Sequence, residues 1–513
     1  MNSKERKLAE GLLFSDQYQF TMAQLYFRMG LHQKEAQFDH FFRSYPNYGQ
    51  HKSGYCINAG LQWLLDWMGD LKVRKKDIAV LRSQLSSNGQ PLFGEDFLDW
   101  LQSDPPFSGI KMWAVPEGRV VHPNAPLTVV QGPLAWAQIL ETSLLNHLNY
   151  QTLIATKASR INLSGRGNPV LEFGLRRGPE KGANAGTRAA LIGGADFSSN
   201  VGSSYLMGVD PKGTHAHSMV QVFMALGGSE LDAFEAYAEV FPDDCVLLVD
   251  TVDTLESGVP NAIRVFKKLE REGHAPVGIR LDSGDLAHLS IQARKMLDES
   301  GFPETSIILS NQLDELTLWQ ILTQIQQEAR NFDVDPERVI STLVYGVGTS
   351  LITSKGQGAL DGVYKLVAVR ENESWTPALK MSENPAKIPN PGHKKVWRVY
   401  DERGKATADV MSLDDEDLQN LDEFMIHHPS EHAVCRTLRK SELSNVEPLL
   451  EKVWENGNQL QERRTLEDLR TQRVADLSCL DPGVLRLTNP HIYHVSLTER
   501  LWNIKQELLQ DLQ

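Results

Sequence analysis

From about residue 168 the chain alternates short apolar runs, each ending in polar residues, with segments of helical period, and few architectures accommodate that alternation. The runs cover residues 169–173, 245–250, 277–282, 306–310 and 343–346, with further strand candidates at 205–212 and 362–369. A strand followed by a helix is a βα unit, and several in series build a parallel sheet. Alternation alone fits a doubly wound sheet as well as a barrel. The strand ends shift the balance, because Glu172, Asp250 and Thr251, Arg280 and Asp282, Ser310 and Asn311, and Gly346 to Thr349 all stand where the runs finish. In α/β barrels that rim gathers the active-site groups. The expected fold is therefore α/β, an irregular (β/α) barrel.

At 513 residues the chain is too long for one ordinary core. Ahead of the barrel, the stretch from Leu12 opens a helix, with Asp16 as N-cap, Gln19 three residues on, Tyr18 in the first turn and Gly30 as the stop. Residues 36–48 look extended and aromatic, and Pro133 opens a long or slightly broken helix over 134–160. After residue 371 the sequence turns irregular and charged, with an acidic run at 413–417. The pattern predicts an N-terminal mixed α/β domain (1–150), an α/β barrel (151–371) and a peripheral C-terminal domain (372–513).

Lys and Arg number 52 against 66 Asp and Glu, a net charge of −14, which argues against a nucleic-acid surface built on clustered cations. Cys56, Cys245, Cys435 and Cys479 lie far apart with no CxxC pair, which fits a reducing cytoplasm better than a disulfide framework. The polar start and the lack of a long uninterrupted apolar run predict neither a signal peptide nor a membrane span.

Four segments carry residue types suited to chemistry. Gly346, Gly348 and Thr349 follow a strand, where glycines let backbone N–H groups approach an anion, although a plain turn explains them too. The run 278–285 delivers Arg280 and Asp282 into a glycine-containing turn; Arg280 suits an anion or ring, and Asp282 a sugar hydroxyl or a Mg²⁺-linked contact. Asp285 either joins that Mg²⁺ chemistry or caps the helix that begins at Leu286. Arg176 and Arg177 stand just past a strand, as phosphate forks or as solvated side chains. His217 follows a Gly-Thr turn, with His215 two residues before it and Asp250 as a candidate to hold one imidazole nitrogen while the other acts as nucleophile.

Taken together, the runs 15–22, 116–123, 172–177, 213–218, 248–251, 280–285 and 346–349, with 390–395 and 489–493 late in the chain, resemble the nicotinate phosphoribosyltransferase family along essentially its whole length. The resemblance implies a type II phosphoribosyltransferase that is a homodimer with sites at the subunit interface. It implies transfer of phosphoribosyl from phosphoribosyl pyrophosphate to nicotinate with coupled ATP hydrolysis and Mg²⁺, an early step in making NAD. On that basis His217 is the histidine phosphorylated by ATP and Asp250 the carboxylate that steadies it. Tyr18 is the aromatic stacked on the pyridine ring from the neighbouring subunit, Arg280 contacts the base, and Asp282 lies beside the ribose. Arg176, Arg177 and the Gly346–Thr349 turn match carboxylate or phosphate positions, with Lys387, Lys394 and Lys395 as pyrophosphate contacts.

Two departures stand out. Where many members carry Gly-Gly-aromatic-Asp, this chain has Ala195, which leaves Phe197 as the ring that would sandwich nicotinate against Tyr18. The position of His215 is commonly apolar in the family. The rival readings are a nicotinamide phosphoribosyltransferase and an inactive barrel kept as a binding or scaffold protein.

Overall fold

The computed structural model describes residues 2–379, 388–431 and 433–511. The chain divides into two compact units, one of Met1–Leu153 with Ala359–Gln513 and one of Ile154–Gly358, where the sequence pattern suggests three consecutive domains. The difference comes from strand pairing. Gly362–Glu371 pairs antiparallel with Glu35–Phe42, and Glu451–Glu455 pairs antiparallel with Lys111–Ala114, so distant stretches of chain share one seven-stranded sheet. Seven of the eight residues of Glu35–Phe42 are buried, as expected of a central strand covered on both faces. Phe38 stacks on Tyr364 across that pairing at 4.7 Å.

The second sheet of this unit is six-stranded and closes over a network of buried ions. Arg398 sends two nitrogens to Asp409, each at 2.8 Å, and a third to Asp476 at 3.2 Å; all three side chains are almost wholly buried. Arg119 reaches the same Asp476 at 2.8 Å. Tyr493 donates to Asp409 at 3.0 Å and stacks on His122 at 3.7 Å, and burial lowers the pKa of that imidazole to about 3. Two of the segments that carry the family resemblance, 116–123 and 489–493, thus meet as scaffold.

The unit Ile154–Gly358 carries the expected βα pattern. Its sheet runs Phe197–Ser198, Val170–Glu172, Leu343–Val347, Ser306–Leu309, Gly278–Leu281, Val246–Leu248, with every neighbouring pair parallel. The helices between the strands are amphipathic: Val259–Arg271 buries Ala262, Phe266 and Leu269, a spacing that lays one stripe on the sheet. The hydrogen-bonded ladder has two free edges, so among the described residues the sheet is a half-barrel.

Two strand candidates fall elsewhere. Within 205–212 no strand forms: Val201–Leu206 is a helix, capped where Asn200 accepts from the Ser203 N–H and ended by Gly208 at φ 70°. Its Tyr205 and Leu206 are apolar yet 83% and 81% exposed, so their hydrophobicity marks a surface and not a core strand. Residues 362–369 do form a strand, but in the antiparallel sheet already described. No helix among the described residues is long and apolar enough to cross a membrane.

Candidate active site

Parallel strands in register end together, so their last residues and the turns after them surround one space. Here Arg280 lies opposite Ile308 on one side and Leu248 on the other, and Gly346 lies opposite Leu171. At that rim is a cavity of about 620 Å³, lined among others by Phe173, Thr214, Arg280, Asp282, Ser310 and Gly346.

Arg280 is the most constrained group in it. Nε donates to Ser310 Oγ at 2.9 Å, Nη2 to Asp282 Oδ1 at 3.0 Å and Nη1 to Thr214 Oγ1 at 3.3 Å, while the guanidinium sits 5.6 Å from the centre of the Phe173 ring. Three acceptors on three loops fix its plane, so a flat anion finds the remaining N–H positions already oriented.

No sequence pattern marks the ring beside it. Phe173 is carried by the turn after Val170–Glu172, and that turn is held by buried Glu172, which accepts from Thr187 Oγ1 at 3.0 Å, Ser198 Oγ at 2.6 Å and the Gly174 N–H. The glycines of the Gly346–Thr349 turn have a packing role as well: a Cβ on Gly346 would lie 2.6 Å from the Phe173 ring, and one on Gly348 would lie 3.0 Å from the Phe173 carbonyl oxygen. We expect Gly346→Ala to displace the ring and cost about 1–3 kcal/mol of stability as overpacking does. The check is chemical denaturation together with nicotinate binding; wild-type values for both would show that the ring has room to move.

Charge is supplied by Arg176, Arg177 and Lys355, which line the cavity and have no ion-pair or side-chain hydrogen-bond partner among the described residues. Lys355 follows the short helix Thr349–Ile352, and no sequence pattern marks it. Asn311 and Gln312 also line the cavity, with φ of 81° and 52°. Two consecutive left-handed residues other than glycine cost roughly 1–3 kcal/mol each, the kind of strain that sites store. A single sequence carries no sign of it beyond the preference of Asn for such turns.

His217 is the first residue of the helix His217–Ala225. Nδ1 lies 3.1 Å from Thr251 Oγ1, and Nε2 lies 3.8 Å from both Asp250 Oδ1 and Asp282 Oδ2. Asp250, 2% exposed, accepts the Asp282 N–H at 3.0 Å and the Ser283 hydroxyl at 2.5 Å through Oδ2. His217 is 38% exposed, whereas His215 is tied down. His215 Nε2 accepts the Leu248 N–H at 3.1 Å, its ring packs on Tyr237 at 5.0 Å, and burial lowers its pKa, so it is a neutral strut under the loop.

The other expected groups have distinct fates. Asp285 caps Leu286–Glu299, accepting from the Ala287 and His288 N–H groups, and its second oxygen takes Gln324. Phe197 packs with Leu171 and has Lys212 5.6 Å from its ring centre; Ala195 beside it is fully buried. In the other unit, Tyr18 is 47% exposed, and partial burial and the negative charges of Glu141 and Asp16 push its hydroxyl pKa up to about 12. Lys394 is buried, with Nζ on Asp39 at 2.9 Å and on the Asn390 and Gly392 carbonyls, so its three hydrogens are spent on protein oxygens. Lys395 is 40% exposed and 3.8 Å from Asp414. Lys387 lies outside the described residues.

A parallel half-barrel that turns an oriented guanidinium, an aromatic face and unpaired cations into one space at its strand ends defines an α/β enzyme for anionic, ring-bearing substrates. Residues 13–149 match the nicotinate phosphoribosyltransferase (NAPRTase) N-terminal domain, and residues 393–505 the nicotinate phosphoribosyltransferase C-terminal domain. The chain is 38% identical over 502 residues to the nicotinate phosphoribosyltransferase of Bacillus subtilis (strain 168), covering 98% of this chain and 95% of that protein. It is 33% identical over 552 residues to the Homo sapiens nicotinate phosphoribosyltransferase, covering 97% and 96%. The crystal structure of human nicotinic acid phosphoribosyltransferase aligns with a TM-score of 0.78 at 29% identity, covering 96% of this chain and 99% of that one. The chain belongs to the nicotinate phosphoribosyltransferase family, a family of enzymes.

Proposed function

We propose that this enzyme joins nicotinate to 5-phosphoribosyl 1-pyrophosphate, giving nicotinate mononucleotide, a precursor of NAD, and pyrophosphate, with ATP hydrolysis coupled to the transfer. The observation that carries the reading is the cavity in which Arg280 lies against Phe173 while Arg176, Arg177 and Lys355 have no carboxylate partner. The pyridine ring lies on Phe173, a role that fits this residue better than Phe197, which does not line the cavity. Arg280 takes the nicotinate carboxylate, and the three cations and the Gly346–Thr349 turn take the phosphates.

The pyridine nitrogen attacks the anomeric carbon as the bond to pyrophosphate breaks, and positive charge grows on the sugar. Asp282 is the carboxylate on the cavity wall placed to offset it, already oriented by its bond to Arg280. Mg²⁺ would arrive on the phosphates, neutralising them. The donor set suits that, because Asp250 Oδ1 is a buried oxygen with no hydrogen-bond donor among the described residues, and Asp282 Oδ2 lies, like it, 3.8 Å from His217 Nε2. His217 accepts the γ-phosphoryl group of ATP, and the N–P bond so formed is later hydrolysed to release phosphate, so that charge beside the site changes over the cycle.

Exposed apolar side chains support a homodimer: Tyr205 and Leu206 at the end of the helix Val201–Leu206, Leu226 at the end of the helix that His217 begins, and Tyr18, Leu25 and Met29 on and just after Gln17–Arg28. In that assembly Tyr18 serves the neighbouring subunit's ring. A cytoplasmic location accords with four free cysteines.

Turnover with nicotinate against nicotinamide tests the reading, and preference for the amide would overturn it. Arg280→Ala should raise KM for nicotinate about 10–100-fold, the worth of hydrogen bonds to a charged group, and should affect nicotinamide far less. An equal loss for both would place the carboxylate elsewhere.

A further inference from the structure

We propose that Thr251 is the positioning residue for His217: its hydroxyl, and not the Asp250 carboxylate, holds the imidazole in register for phosphoryl transfer. The inference rests on the proposed phosphorylation of His217 and adds a group to it.

The hydrogen bond from Thr251 Oγ1 to Nδ1, at 3.1 Å, is the one polar contact within bonding range of the His217 ring among the described residues. At 3.8 Å, Asp250 and Asp282 lie beyond hydrogen-bond reach of Nε2 and act on it as charges. Asp250 is also committed elsewhere, since its Oδ2 gathers the Asp282 N–H and the Ser283 hydroxyl and so builds the turn that carries Asp282. Removing Asp250 would therefore disturb two things at once, whereas among the described residues the one side-chain hydrogen bond of Thr251 is to His217.

The same geometry selects the tautomer. A bare lone pair on Nε2 would face two carboxylate oxygens, while an N–H there faces them favourably, so the proton sits on Nε2 and the lone pair on Nδ1. Thr251 is then the donor. In the phosphoryl step the Nδ1 lone pair forms a bond to the γ-phosphorus of ATP, the bond from that phosphorus to the bridging oxygen breaks, and ADP leaves with the electron pair. The ring becomes cationic, with its Nε2–H towards Asp250 and Asp282. The Thr251 hydroxyl, displaced from Nδ1, donates to an oxygen of the arriving group. Water later attacks the phosphorus, the N–P bond breaks, phosphate departs, and Nδ1 recovers its lone pair and its bond to Thr251.

The test compares the unsubstituted protein with Thr251→Val, which keeps the shape and removes the hydroxyl, and with Thr251→Ser, which keeps the hydroxyl. The readouts are acid-labile, alkali-stable label from γ-³²P ATP on the protein, and KM for nicotinate. We expect Thr251→Val to label about tenfold more slowly, the factor carried by one hydrogen bond of ordinary net strength, with Thr251→Ser near the unsubstituted rate. KM for nicotinate should stay within about twofold in both, since a hydrogen bond to His217 contributes nothing to the Arg280 and Phe173 contacts. Labelling of Thr251→Val at the full rate overturns the proposal. So does equal loss in Thr251→Ser, which would assign the effect to the methyl group. Absence of label on the unsubstituted protein overturns the phosphorylation of His217 itself, and this inference with it.

Discussion

A His217→Ala variant is expected to lose all stimulation by ATP while still forming some nicotinate mononucleotide without it. The separation follows from where the groups stand. Arg280, Phe173 and the unpaired cations line the cavity proposed for nicotinate and the sugar diphosphate, and His217 does not line it; its ring flanks the cavity through Asp282. Removing the imidazole deletes the phosphate acceptor and leaves every proposed substrate contact in place. What disappears is the cycle of charge beside the site, not the electrophile or the nucleophile of the transfer itself. Product formation measured with and without ATP, at saturating nicotinate, checks it. Undiminished stimulation in the variant would remove His217 from the coupling.

The second large effect is on stability. Arg398→Met should destabilise the unit that contains the antiparallel sheets by about 3–5 kcal/mol, because it leaves Asp409 and Asp476 buried without their common counter-ion. Of the two, Arg119 reaches Asp476 and is shared with Glu447, and among the described residues Asp409 retains the Tyr493 hydroxyl as its side-chain hydrogen-bond donor. Exchanging the whole set for apolar residues is a different experiment, since a buried ion cluster often adds little over good packing and its damage comes from being broken. Urea denaturation followed through the tryptophan signal measures the loss, and a change under about 1 kcal/mol would mean that water or another cation reaches the two carboxylates.

The parallel half-barrel was legible because each strand is an apolar run that stops at polar residues, and those residues stop there for a reason: they line the rim. Arg280 and Asp282 were found this way. Residues 205–212 misled because Tyr205 and Leu206 have strand-like composition but stand on the surface, and composition cannot tell a core strand from an exposed apolar face. Phe173 stands in a segment whose arginines carry the stronger sequence signal. The clue was available at a distance in sequence, in the glycines that clear space for its ring. The backbone strain at Asn311 and Gln312, hinted at only by the preference of Asn for such turns, and the lack of a side-chain partner for Lys355 among the described residues both depend on tertiary placement. Lys394 shows the converse, a lysine in a family-like segment whose burial against Asp39 gives it a structural partner.

The pairing of Glu35–Phe42 with Gly362–Glu371 sets a schedule for synthesis. When residue 42 leaves the ribosome its partner strand has not been made, and at roughly 5–20 residues per second the wait lasts on the order of 15–60 seconds. Throughout that interval one edge of a strand destined for the interior offers unpaired backbone groups to any neighbour. The unit Ile154–Gly358, whose strands all lie within its own stretch of chain, is under no such constraint and can be complete while the flanking sheet is still waiting. Nascent chains stalled just past residue 358 should therefore still need a chaperone for that edge alone, and should lose the need once residues 362–371 are made.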